Sequence, residues 1–263
     1  MKQCLMKHIE TSVMTLKEIR EECWDYARDN VGSDSDKLWN TAEMNRYINR
    51  IYRYIARETR CIRDAVTPEI CNITVAPRDW TMLTPEDGID YVYVNSPESW
   101  LYHQNVAPIV YKLDPRILQI EEVKWTNRQW RLTKVSVSKW QSNPWWEQVV
   151  GMPTEYATDY SNNTLVLNYR ETLSDALRLQ VKRLPLKDLI DDDDLPEFRD
   201  HYHDYFKNGV LWLMYRKQDS EAEDKAKSSD YFKMFAEDLD QLKQSEAKLE
   251  YRLFPNNSLS AFR

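Results

Sequence analysis

Glycine is scarce in this chain. Its four glycines, Gly32, Gly88, Gly151 and Gly209, stand far apart in 263 residues. A loop that cradles phosphate needs clustered glycines so that backbone N–H groups can close on the anion. Neither a dinucleotide fingerprint nor a P-loop exists here. Cysteine is equally thin: Cys4, Cys23, Cys61 and Cys71 share no Cys-x-x-Cys spacing. They read as reduced thiols in or beside the interior rather than as a disulfide framework. A chain of this length buries a core without covalent staples. The first ten residues, MKQCLMKHIE, hold no apolar signal region, and no uninterrupted apolar run approaches membrane-spanning length. The expectation is a soluble protein made and used without export.

A surplus of positive charge is also missing. The formal net charge is −7, and the acid is unevenly placed. Residues 218–250 carry ten acidic and five basic side chains, residues 186–200 seven against two, whereas residues 1–63 carry twelve basic and ten acidic. An acidic C-terminal third argues against nucleic-acid binding driven by counterion release.

The periodicity changes twice along the chain. Residues 16–29 place Leu16, Ile19, Cys23 and Ala27 on one helical face, and Thr15 followed by Glu18 forms a capping box. A polar, turn-rich linker follows. Asn40 and Glu43 then open a second helix, whose Met44, Tyr47, Ile48, Ile51, Tyr52 and Ile55 recur at helical spacing. From residue 70 to 186 the period is two, with strands expected at 70–75, 91–94, 117–125, 129–137, 155–160, 164–169 and 176–183. Ser161-Asn162-Asn163 reads as a hairpin turn, since Asn tolerates the left-handed backbone; Thr126-Asn127-Arg128 is a second. Residues 80–107 read as a long loop or extended hairpin, a length that suggests a functional protrusion. The last third returns to helix. One helix, opened by Leu195-Pro196, carries Phe198, Tyr202, Tyr205, Trp212 and Leu213, with Gly209 permitting close packing. Another carries Phe232, Phe235, Ala236, Leu239 and Leu242. Residues 251–263 have no helical period and read as a tail.

Several polar and aromatic groups invite chemistry. Asp191, Asp192, Asp193 and Asp194 lack the alternation, glycine and terminal glutamate of a calcium loop; they read as a solvated acidic loop, with Asp194 capping the helix after it. His201 and His203 point to different sides of a helix, so with Asp200 and Asp204 they do not converge on a metal. No nucleophile elbow is present. Neither a catalytic residue, a metal site nor a cofactor is expected. Trp80, Trp100, Tyr102, Trp145 and Trp146 serve either core and interface or stacking on sugars or bases, the last disfavoured without a basic groove. The sharpest polar feature is Arg46, Arg50, Arg53, Arg57 and Arg60, spaced four, three, four, three. At about 100° per residue they form one stripe opposite Ile51 and Ile55. Solvation accounts for such a stripe; so does contact with an acidic surface of a neighbouring copy or a partner, and DNA phosphate ranks third.

The order of these segments resembles the head-to-tail adaptor (connector) proteins of tailed bacteriophages, including the podovirus tail-tubular adaptors. The likeness rests on LWNTAEMNRYINRIYRYIARET leading into strands, then MPTEY with NNTLVLNYR, then LRLQVKRLPL ahead of DDDDLPEF, and on two closing helices with a tail. It does not extend to residues 80–107. The resemblance implies an α+β fold: helices of residues 1–65 and 187–250 forming a bundle, an inserted antiparallel β-rich domain of residues 66–186 facing the tail, and an extended segment of residues 251–263. It implies a virion protein at the head–tail junction, assembled in the host cytoplasm as a ring of about twelve copies. Its partners would be other copies of itself, the portal protein, a tail nozzle or tail-tube protein, and double-stranded DNA passing through the lumen without sequence-specific binding; no membrane is involved. Tyr251, Arg252, Leu253, Phe254 and Phe262 would dock on the portal, Trp80, Trp100 and Tyr102 would face the tail, and an acidic surplus would keep DNA from sticking. The alternative reading is a carbohydrate-binding virion or surface module using Trp100, Trp145 and Trp146.

Overall fold

The computed structural model describes residues 13–29, 32–76, 107–128, 130–217 and 224–253. The fold is α+β, and the chain divides into two compact units, Met1–Ile62 with Leu184–Arg263 and Arg63–Arg183.

In the first unit, α1 (Leu16–Ala27) starts on the capping box that the sequence indicates: Thr15 Oγ1 accepts from the Glu18 N–H, and the Glu18 carboxylate accepts from the Thr15 N–H at 2.8 Å. It stops at Arg28, which turns left-handed at φ 59°. The Asp29 carboxylate then accepts from the N–H groups of Leu38 and Trp39, both at 3.1 Å, and folds the linker back. Trp39 is buried there, its indole donating to the Met214 carbonyl and its own carbonyl accepting from the Trp24 indole. α2 (Thr41–Thr59) begins at Asn40, whose side chain accepts from the Glu43 N–H at 2.9 Å. Met44, Ile48, Ile51, Tyr52 and Ile55 are fully buried against α4 (Phe206–Tyr215) and α5 (Lys225–Leu253). Each such side chain contributes about 1.5–3 kcal/mol by leaving water. The closest approach falls at Gly209, where a Cβ would lie 2.9 Å from both Ile51 Cγ2 and Phe235 Cε2. Only the absence of a side chain lets the three helices meet there.

The second unit holds two sheets. In one, β8 (Asp175–Arg183) pairs along one edge with β4 (Ile117–Trp125); its other edge takes β1 (Arg63–Asp64) and β2 (Asn72–Val75) in tandem, all antiparallel. A single turn of helix, α3 (Pro68–Cys71), separates β1 from β2. In the other, the order is β3 (Val110–Lys112), β7 (Thr164–Leu167), β6 (Glu155–Ala157), β5 (Thr133–Lys134), parallel only between β5 and β6. Leu177, Leu179 and Val181 of β8 alternate into a core that Leu165 and Leu167 of β7 share. Val166 points the other way, into a second cluster with Ile109, Val137, Trp140 and Trp146. Thus β7 is covered on both faces. Asn163, at φ 54°, makes the β6–β7 turn as its residue type requires.

Several boundaries differ from the sequence reading. Pro68 at the first helical position turns residues 68–71 into α3, so the strand expected at 70–75 starts at Asn72. The strand expected over 129–137 shrinks to β5. The Asp159 carboxylate draws the Val137 N–H (3.0 Å) and the Ser136 hydroxyl (2.7 Å) into a 3-10 turn instead. Leu195-Pro196 does not open a helix. The Glu197 N–H donates to the Tyr52 hydroxyl at 2.7 Å, and Phe198 packs edge-on against the Tyr52 ring; a 3-10 turn over Asp200–Tyr205 precedes α4. Helix α5 also runs through Tyr251, Arg252 and Leu253, which the sequence reading assigns to the extended tail. Phe254 and Phe262, the expected strand at 91–94, and Trp80, Trp100 and Tyr102 lie outside the described residues.

Candidate interaction surfaces

The acidic segment is a built feature of the first unit rather than a free loop. The N–H groups of Leu16 and Lys17, which α1 leaves without helical partners, donate to the carbonyls of Asp194 (2.9 Å) and Asp192 (3.1 Å). Asn49, on α2, holds the loop by its amide: Nδ2 donates to the Leu189 carbonyl at 2.8 Å and Oδ1 accepts from the Leu189 N–H at 2.7 Å. Arg20, itself buried, bridges Asn45 Oδ1 (3.0 Å) and the Asp192 carboxylate (2.8 Å). The Asp194 side chain does not cap a helix after it, since none begins at Leu195-Pro196. It turns inward, pairing with Lys187 at 2.9 Å and accepting from the N–H groups of Ile190 and Asp191. Lys187 first, then those two amides, lower its carboxyl to about 2. Asp191 and Asp193 stay exposed. His203 belongs to the same region. Its Nδ1 accepts from the Met14 N–H at 2.9 Å, which leaves the proton on Nε2 facing the Phe198 carbonyl. It is a core residue.

The arginine stripe is divided by this loop. Arg53 reaches both oxygens of Asp188, at 2.5 and 2.6 Å. Arg46 lies 3.7 Å from Glu43 and is 74% exposed. The side chains of Arg50 and Arg57 are exposed and reach no other described residue by hydrogen bond or ion pair. Arg60 lies past the end of α2 at φ 52°, so its side chain leaves the helical stripe. Asn45, Asn49 and Arg53, each one helical turn apart, face the loop; Arg46, Arg50 and Arg57 flank them. The sequence reading treated the stripe as uniform because it had no means of placing Asp188.

In the second unit the paired tryptophans part company. Trp145 is 66% exposed, while Trp146 is buried and packs against Trp140 at 5.4 Å between ring centres, the rings tilted by 39°. An open groove of about 340 Å3 lies beside them, lined by Trp140, Asn143, Glu155, Asn168 and Tyr169. Its polar groups are already engaged: Glu155 by Lys139 and the Trp140 indole, Asn168 by the N–H groups of Thr154 and Glu155. A sugar platform needs convergent, unsatisfied polar groups beside its aromatic face. This groove offers few.

Burial pushes the thiols of Cys61 and Cys71 up to about 11 and raises that of Cys23, so all three stay protonated and unreactive at neutral pH. Among the described residues, no group of three His, Cys, Asp or Glu stands together as a metal site would require, and no helix is long and apolar enough to cross a membrane. What the chain presents is surface: an anchored acidic loop, three outward arginines and a long helix.

Sequence comparison bears on those surfaces. A family model described as SU10 adaptor protein matches residues 14–257, nearly the whole chain. No curated protein matches it.

Proposed function

Because the chain belongs to the SU10 adaptor protein family, and is thus a phage head-to-tail adaptor, we propose that it forms a ring of about twelve copies between portal and tail. The ring continues the DNA channel. Its helices form the annulus as a bundle, its β-rich part is an inserted domain facing the tail, and the residues after α5 dock on the portal. Double-stranded DNA passes through the lumen, repelled rather than bound by a chain of net charge −7.

The observation that carries this reading is the family match over residues 14–257, which spans both compact units. Two further features support it. Arg46, Arg50 and Arg57 form an outward cationic row on a rigid helix, a suitable contact for an acidic portal or neighbouring subunit. Residues 254–263 hold Phe254, Leu259 and Phe262 in a stretch too short for a core of its own, so their apolar area is best buried against another protein. Residues 80–107, with Trp80, Trp100 and Tyr102, are assigned to the tail-facing side. Assembly takes place in the host cytoplasm and the product resides in the virion.

The test is the mass of the purified chain, alone and mixed with portal rings of the same phage. A portal-bound ring of about twelve copies is expected. A chain that stays monomeric and ignores the portal refutes the reading.

A further inference from the structure

We infer that the loop at residues 186–195 of one copy plugs into a groove between α4 and α5 of the next, so that the two form the subunit–subunit joint. The proposal rests on the ring reading above. The loop exposes an apolar tip: Ile190 is 72% exposed, and Leu186 and Leu195 are exposed beside it. The backbone that carries them is pinned, since the Leu186 N–H donates to Glu197 and the Ile190 N–H to Asp194. Asp191 and Asp193 rim the tip with negative charge.

The groove is the converse. About 460 Å3 of open space is lined by Trp212, Tyr215, Ser228, Ser229 and Phe232 together with Arg216 and Lys225. Phe232 is 44% exposed although it packs at 5.0 Å against Trp212. An aliphatic tip flanked by acids matches an aromatic groove lined by two cations, in polarity and in sign. Apolar area supplies the affinity, and the charges set orientation and exclude wrong pairings.

The two surfaces stand at opposite ends of α1. The knob's carbonyls cap Leu16 and Lys17 at its start. The groove's Tyr215 packs edge-on against Trp39, whose carbonyl accepts from the Trp24 indole near its end. From Leu16 to Trp24 the helix rises by about 12 Å. A joint made from two different, separated patches is heterologous, the kind that propagates head to tail and closes into a ring. Rigid anchoring of the knob by Asn49, Arg20 and the start of α1 lowers the ordering cost of docking.

Charge reversal tests the joint. The pairs Asp191→Lys with Asp193→Lys and Arg216→Glu with Lys225→Glu change exposed side chains, so each variant should melt like the unaltered chain. Each alone should weaken self-association, alone or on portal rings, by at least about tenfold. An equimolar mixture of the two reversed chains leaves half of the possible joints like-charged, whereas the chain carrying all four reversals restores every joint; recovery of rings by that fourfold variant is the expected result. A second measurement uses Ile190→Cys with Ser229→Cys in a Cys4→Ser chain, where oxidation should yield a ladder of covalent multimers. Rings of normal mass from either reversed pair, with no ladder, overturn the knob and groove while leaving the ring reading standing. An unaltered chain that stays monomeric with and without the portal overturns both.

Discussion

Asn49→Ala should destabilise the helical unit well beyond what its two lost heavy-atom groups suggest. Asn49 is 8% exposed and makes three hydrogen bonds: Nδ2 to the carbonyls of Asn45 and Leu189, and Oδ1 from the Leu189 N–H. The Asn45 carbonyl keeps its helical role after truncation. Leu189, itself buried, loses partners for both of its backbone groups. Leaving a buried donor and a buried acceptor unsatisfied costs about 1–3 kcal/mol each. Water entering the space left by the amide recovers part of that, so the expected loss is about 2–4 kcal/mol. Asn49→Asp should fall between, because a carboxylate still accepts from the Leu189 N–H but faces two carbonyls it cannot donate to. The assay is denaturant unfolding combined with amide hydrogen exchange. Protection at Leu189 and across residues 186–194 should fall, while residues 175–183 of β8 serve as internal reference. A loss under about 1 kcal/mol with Leu189 protection intact would refute the argument that this amide holds the loop.

Four further outcomes are expected. Gly209→Ala gains about 1 kcal/mol of helix propensity but meets Ile51 Cγ2 and Phe235 Cε2 at 2.9 Å, an overpacking cost of about 1–3 kcal/mol; it should be destabilising alone and less so in an Ile51→Ala background, which removes one of the two clashes, as a double-mutant cycle of unfolding free energies will read. Burial lowers the His203 basicity against the pull of Asp200 and Asp204. The neutral ring is therefore favoured in the fold, its contribution is present above the unfolded value of about 6.5 and lost as pH falls below it, and the melting temperature should drop from pH 7 to 5 with a slope that His203→Gln flattens. Arg50→Glu with Arg57→Glu should leave the melting temperature unchanged and weaken ring assembly or portal docking in low salt; normal assembly would return these arginines to simple solvation. Deleting residues 254–263 should spare the helical content by circular dichroism and abolish portal binding, and unchanged binding would remove that segment from the docking role.

Local signals in the sequence located most elements, and particular residues show why. Thr15 and Glu18 form the capping box that their spacing requires, Asn163 takes the left-handed turn its side chain tolerates, and residues 117–125 form β4 with the bounds that alternation indicates. Gly209 reads as a close-packing site from its place among aromatics, and it is one. These features depend on neighbours within a few positions. The errors arose where a distant partner outbid a local preference. Val137 left its expected strand for the Asp159 carboxylate, and Glu197 gave its N–H to Tyr52 rather than to a helix.

The candidate surfaces divide in the same way. The arginine spacing, the run of four aspartates and the family likeness are legible in one dimension, since each is a property of residue order. Which of those charges face outward is not. Arg53 and Asp188 lie 135 positions apart, Asn49 and Leu189 140, and Met14 and His203 189. Hydrogen bonds and ion pairs act over about 3 Å of space, and separation along the chain carries no information about that distance. Sequence by itself determined most of the helices and strands, the acidic and basic segments and the kind of protein. Only the tertiary structure decided that the acidic loop is anchored, that Arg46, Arg50 and Arg57 remain outward, and that an apolar knob and an aromatic groove stand at opposite ends of one helix.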